Sequence, residues 1–128
     1  MDWSKYPNFY EHEFKCSYSG LCDMKPEFMD LLQQIRTAFN KPMFVSSGYR
    51  HFTHPKERTK AVPGEHTHGL CCDVLISGPD VPHFLNWCYD LGVRRMGINQ
   101  KGDMNQRFIH IGIGNRTLPQ FPEAIWSY

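Results

Sequence analysis

Apolar residues first recur at helical spacing between Pro26 and Asn40, where Phe28, Leu31, Leu32, Ile35 and Phe39 fall three and four apart and share one face. Pro26 suits the first turn of such a helix, and Pro42 stops the chain beyond its end. The period then shortens. Met43–Ser46 is a brief apolar, β-favouring run that predicts a strand; Asp73–Ser77 predicts a second and Arg94–Asn99 a third. Asp80 is placed to cap a second helix over Val81–Leu91, with Phe84, Leu85, Cys88 and Leu91 on its buried face and Gly92 at its end. Phe108–Ile113 carries the cleanest alternation, with Ile109, Ile111 and Ile113 on one side and Phe108, His110 and Gly112 on the other.

The segments between these runs lack a period. Residues 1–22 are irregular and aromatic, and Phe9, Tyr10, Phe14 and Tyr18 are expected to wrap the core as an N-terminal arm. Residues 47–65, with Gly48, Pro55, Pro63 and Gly64, form a stretch of a length that marks a functional or a disordered loop. Its Lys56, Arg58 and Lys60 read as a solvated charge run. Asn99–Gln106 is a polar turn, and Phe121, Ile125, Trp126 and Tyr128 are expected to pack down at the tail. Few helices and several short strands, with no repeat or linker, predict one α+β domain over residues 1–128, built on a small, mostly antiparallel sheet with two main helices.

Composition mainly excludes. With 41% hydrophobic and 21% charged residues the chain is ordinary for a globular domain, and its 128 residues suffice to bury a core. A formal charge of +1 gives no electrostatic footprint for nucleic acid or an anionic membrane. No apolar run approaches a membrane span, and the opening MDWSKYPNFYEHEF lacks the apolar stretch of a signal peptide. The five cysteines, Cys16, Cys22, Cys71, Cys72 and Cys88, are therefore read as reduced thiols. Cys16 and Cys22 could pair or clip a metal, but small buried side chains are the favoured reading.

Chemistry concentrates in Gly64-Glu65-His66-Thr67-His68-Gly69-Leu70-Cys71-Cys72-Asp73. An imidazole and a carboxylate stand seven residues apart with a glycine between them, and the acid opens an apolar strand. A carboxylate there is costly to bury unpaired, so a metal ion or a cation must offset it. His110 poses the same problem, because the isoleucines claim the core face of its strand and Gly112 leaves open space beside the imidazole. Two histidines and a carboxylate are a standard three-ligand set for catalytic zinc, with a fourth position for water. Spacing alone leaves the alternative of a satisfied structural histidine open.

These residues resemble the zinc D-Ala-D-Ala carboxypeptidase and L-alanyl-D-glutamate endopeptidase family, which includes many phage endolysins. That family is marked by S-x-H-x-x-G-x-A-x-D and a later histidine on a strand. Here G-E-H-T-H-G-L-C-C-D runs from Gly64 to Asp73 and F-I-H from Phe108, with E-F-K-C at Glu13–Cys16 and S-G-Y-R at Ser47–Arg50 similar to upstream family segments. The resemblance covers residues 11–113. It implies a hedgehog/DD-peptidase-like fold, one Zn2+ held by His66, Asp73 and His110, and Arg50 beside the metal to hold a substrate carboxylate or polarise a carbonyl. An arginine suits that task because its planar fork grips a carboxylate bidentately.

The chain departs from the family in two ways. Gly64 for serine and Cys71 for alanine are mild, small-for-small exchanges; alternation puts Cys71 on the side of Asp73, and packing is its favoured role. The other departure concerns the general base. Many members carry Glu or Asp three residues before the last histidine, where this chain has Arg107, and others carry Asp two residues after it, where this chain has Gly112. Loss of a positioned base typically costs about 10²–10⁴-fold in rate. Asp103, in the turn before the His110 strand, ranks first as a substitute; His68 follows, and Glu65, expected to point away, ranks last.

The resemblance thus implies a zinc metallopeptidase whose substrate and partner is the peptidoglycan stem peptide, cut at a D-Ala-D-Ala or L-Ala-D-Glu type bond. The expected setting is a phage product made in the bacterial cytoplasm, acting on the cell wall or as part of a virion beside other virion proteins. The rival reading is a non-catalytic, zinc-stabilised binding or structural module, which the missing base favours and the intact triad and Arg50 oppose.

Overall fold

The computed structural model describes residues 1–128. Helix α1 spans Pro26–Phe39, with Pro26 at its start and Asn40 in the left-handed conformation (φ 56°) at its end. Phe28, Leu31, Leu32, Ile35 and Phe39 are all buried, as their spacing requires. Helix α2 spans Asp80–Asp90 and buries Phe84 and Cys88. Asp80 lies inside the helix instead of capping it, and its carboxylate takes an exposed ion pair from Lys41 at 2.6 Å.

Five strands form one sheet: β1 (Phe44–Ser47), β2 (Cys71–Leu75), β3 (Arg95–Asn99), β4 (Phe108–Gly112) and β5 (Ala124–Ser127). Their lateral order is β1-β2-β4-β3-β5. All pairings are antiparallel except β3 with β5. This is the α+β fold expected, a mostly antiparallel sheet with two helices. No helix is long and apolar enough to cross a membrane.

Differences from the expected elements have local causes. β2 begins at Cys71, two residues before Asp73, because Cys71 and Cys72 pair with Gly112 and Ile111 of β4. β5 was expected only as a packed tail; its Trp126 is half-buried, whereas Ile125 and Tyr128 are exposed. In the N-terminal arm Phe9 and Phe14 enter the core, while Tyr10 and Tyr18 stay outside.

The alternation of the strands divides the molecule. Val74, Ile109, Ile111 and Ile113 join both helices and the N-terminal arm in one apolar cluster. On the other face a lateral row crosses the sheet: Ser47 opposite Asp73, Asp73 opposite His110, His110 opposite Gly97, Gly97 opposite Trp126. An irregularity between Val45 and Ser47, a bulge next to this row, sets Ser47 opposite Asp73.

Candidate metal centre and cleft

His66 comes to this face from the 3-10 turn Glu65–His68, which closes at Gly69 with φ 68°. A side chain at 69 would meet the Asp23–Met24 backbone, so only glycine fits. His66 Nδ1–H donates to the Gly48 carbonyl at 2.7 Å, which leaves Nε2 free and aimed 3.5 Å from Asp73 Oδ1. Gly48 itself is pressed on the N-terminal arm; a Cβ there would lie 2.7 Å from the Phe14 Cα.

Asp73 Oδ1 also lies 2.9 Å from His110 Nδ1. One carboxylate oxygen is thus shared between two imidazoles, and all three side chains are buried. Burial by itself would raise the Asp73 pKa, but the hydrogen bonds and charges of His110 and His66 outweigh it and hold the carboxyl far below its usual range. Burial pushes the His66 pKa down, against the pull of Asp73. For His110 burial also pulls down, yet the carboxylates of Asp73 and Glu65 reverse the sign and raise it.

Glu65 does not point away. Oε1 lies 2.8 Å from His110 Nε2, and Oε2 accepts from the Gly114 N–H at 2.7 Å and from Arg95 Nε at 3.1 Å. Sequence reasoning missed this because it treated neighbours as facing opposite ways. In a 3-10 turn successive side chains stand about 120° apart, so residues 65 and 66 can both address the sheet. A signal was present: Gly112 and Gly114, beside His110, leave a volume that something must fill.

Arg50 lies at the centre, only 15% exposed in its side chain. Its Nη2 is 3.7 Å from Asp73 Oδ2, Nη1 is 3.4 Å from Glu57 Oε2, and Nε donates to Ser47 Oγ at 3.2 Å. Glu57 is a second buried carboxylate near the site that the sequence did not mark. It is buried in the 47–65 loop, where it accepts from Lys60 (2.9 Å), the Gly64 N–H (3.1 Å) and Thr67 Oγ1 (3.2 Å). The loop is therefore built around one buried anion. Burial would raise the Glu57 pKa, but these donors hold it below the ordinary value.

The two preferred substitutes for the missing base lie elsewhere. Asp103 is exposed at the start of the short turn Met104–Gln106, caps nothing and is not among the walls of the cleft, so it does not reach across. The ring of His68 packs edge-on against Phe121, and its buried Nε2 has no partner. Arg107 turns back to donate to the Gly102 carbonyl at 3.1 Å.

Above the row opens a cleft of about 1040 Å³ whose floor includes His66, Asp73 and His110. Arg50, Lys56 and Lys60 contribute cations to its walls, and Phe108, Phe121, Trp126 and Tyr128 contribute aromatic surface. Asp73 and Glu65 are the only carboxylates lining it.

The donor chemistry fits a metal ion. His66 Nε2 and His110 Nδ1 both approach Asp73 Oδ1, at 3.5 and 2.9 Å. Cys71 is a competing third donor, since its Sγ lies within 4.8 Å of ligand atoms of His66 and His110. We favour Asp73, because it is already an anion between both imidazoles, whereas burial pushes the Cys71 thiol well above its ordinary pKa. A family model described as Peptidase M15 matches residues 7–112. No curated protein matches the sequence.

Proposed function

From the premise that the chain belongs to the Peptidase M15 family, we propose that it is a zinc metallopeptidase hydrolysing stem peptides of bacterial peptidoglycan at a D-Ala-D-Ala or L-Ala-D-Glu type bond, in the manner of phage endolysins. The observation that carries this reading is the convergence of two neutral-capable imidazoles and one carboxylate at the floor of an open cleft. His66, Asp73 and His110 would hold the ion. When bound, zinc supplies a Lewis acid and lowers the pKa of coordinated water toward about 7.

The remaining work belongs to the chain. Arg50 is pinned by Ser47, Glu57 and Asp73 with its guanidinium in the cleft wall, where it binds and orients a substrate carboxylate or carbonyl. Lys56 and Lys60 extend the positive wall along which an acidic peptide lies. The aromatic wall of Phe121, Trp126 and Tyr128 excludes water from the opposite side.

One observation favours the second reading, a zinc-stabilised binding module. Both carboxylates of the cleft are engaged, Asp73 by the two histidines and Glu65 by His110, Gly114 and Arg95, and no free carboxylate stands ready to move a proton. Incubating the zinc-loaded protein with purified peptidoglycan and reading new peptide termini by mass spectrometry separates the two. New termini that vanish on zinc chelation are expected; intact stem peptides that nevertheless co-sediment with the protein would establish the binding module instead.

A further inference from the structure

The least expected group in the cleft is the Glu65 carboxylate. It is buried, both of its oxygens are engaged, and its three donors come from three places in the sheet: His110 on β4, Gly114 just beyond it and Arg95 on β3. Its seat depends on two absent side chains. A Cβ at position 112 would coincide with the carboxylate, and one at 114 would lie 2.8 Å from Oε2. Arg95 is in turn fixed by the Pro122 carbonyl and by the Phe121 and Trp126 rings, 5.3 and 5.0 Å from its guanidinium carbon. The chain therefore builds a fitted socket for one anion against one nitrogen of His110.

We propose that Glu65 is the positioning residue of the metal centre, holding the His110 proton on Nε2 so that Nδ1, on the Asp73 side, is the nitrogen left to the ion. The inference rests on the metal-site reading above. A carboxylate can only accept, so the 2.8 Å contact with Glu65 calls for a hydrogen on His110 Nε2, and by the same rule the 2.9 Å contact with Asp73 calls for one on Nδ1. Nδ1 is the nitrogen on the side where Asp73 Oδ1 and His66 Nε2 also arrive, so an ion held there would take the place of its hydrogen, whereas the Nε2 hydrogen stays with Glu65. Carboxylates that orient a metal-binding imidazole in this way typically change metal affinity about 10–100-fold. Glu65 thus makes His110 a directed ligand, and Gly112 is the space through which it does so.

The test measures zinc affinity by competition with a chromophoric chelator, for wild type, Glu65→Gln, Gly112→Ala and the control Asp103→Asn. Glu65→Gln keeps the shape but offers one oxygen to three donors and turns its amide hydrogens on the others. Gly112→Ala leaves Glu65 in the sequence and evicts its carboxylate. Both are expected to weaken zinc about 10–100-fold, with Asp103→Asn at the wild-type value. Equal affinity in folded Glu65→Gln and wild type overturns the proposal while leaving the metal site standing. A wild type that binds no zinc removes the site and the proposal together. Should either variant misfold, long-range proton–nitrogen NMR of the zinc-loaded wild type decides alone. A proton on His110 Nε2 is expected, and one on Nδ1 overturns the assignment.

Discussion

The two faces of the sheet are made by the same strands and obey different rules. On the helix side Val74, Ile109 and Ile111 are fully buried in an apolar cluster with Leu32, Ile35 and Phe84. Contacts there are non-directional, and volume matters more than identity. On the cleft side Asp73 and His110 are also buried, but each of their polar atoms has a named partner. Burial on that side is sustained by direction, because an unpaired polar group in the same place costs far more than a paired one contributes. A single residue step along β2 or β4 moves from one regime to the other.

The sharpest way to break the cleft face is Asp73→Ala. Zinc content is expected to fall from one ion per chain to none in metal analysis, with hydrolysis below detection. One ion per chain retained by this variant would transfer the third donor to Cys71, whose sulfur is within reach of both histidines.

The matching cut on the helix face is Ile111→Ala. Removing a fully buried branched side chain should cost about 2–5 kcal/mol in chemical denaturation. The folded fraction should still bind zinc one to one. If this variant lost zinc while retaining its fold, the faces would be coupled through the strand rather than independent.

The same contrast explains what could be read from the sequence. The helix face was legible because periodicity encodes it: the spacing of Phe28 to Phe39 gave α1, and the isoleucines of β4 gave the core side of the sheet. β5 was missed as a strand because Ala124–Ser127 is four residues long, follows Pro122 closely and pairs only with β3. On the cleft face the proximity of His66, Asp73 and His110 was legible from the motif and from where each falls on its strand or turn. Glu65 and Glu57 were not, because their roles depend on the turn geometry at 65–68 and on a loop folded around a buried anion. Neither leaves a period in the sequence.

Arg50→Ala tests the wall of the cleft beside Asp73. The guanidinium is bound to the site, yet it is not one of the converging donors, so zinc should stay at one ion per chain. Loss of a charge-assisted contact to substrate, worth about 1.5–3 kcal/mol, should raise KM roughly tenfold or more. A fall in zinc content instead would mean that its contact with Asp73 Oδ2, at 3.7 Å, holds the carboxylate for the metal rather than the substrate.

The smallest effects are expected where polar side chains stand near the cleft without entering it. Asp103 is exposed, caps nothing, and only its neighbours Asn105 and Gln106 reach the cleft wall. His68 follows two residues after His66, but the turn that brings 65 and 66 to the sheet carries 68 on to Phe121, where its ring packs with centroids 5.6 Å apart. Neither can take a proton from a group on the cleft floor in this arrangement. Hydrolysis by Asp103→Asn and His68→Ala under identical zinc loading should therefore fall far short of the about 10²–10⁴-fold loss that follows removal of a positioned base. His68→Ala should show a modest loss of thermal stability from the vacated contact with Phe121. A hundredfold loss of rate in Asp103→Asn would instead show that the Asn99–Gln106 turn folds over the cleft when substrate is bound. In that case the proton is carried by a residue from outside the row that built the site.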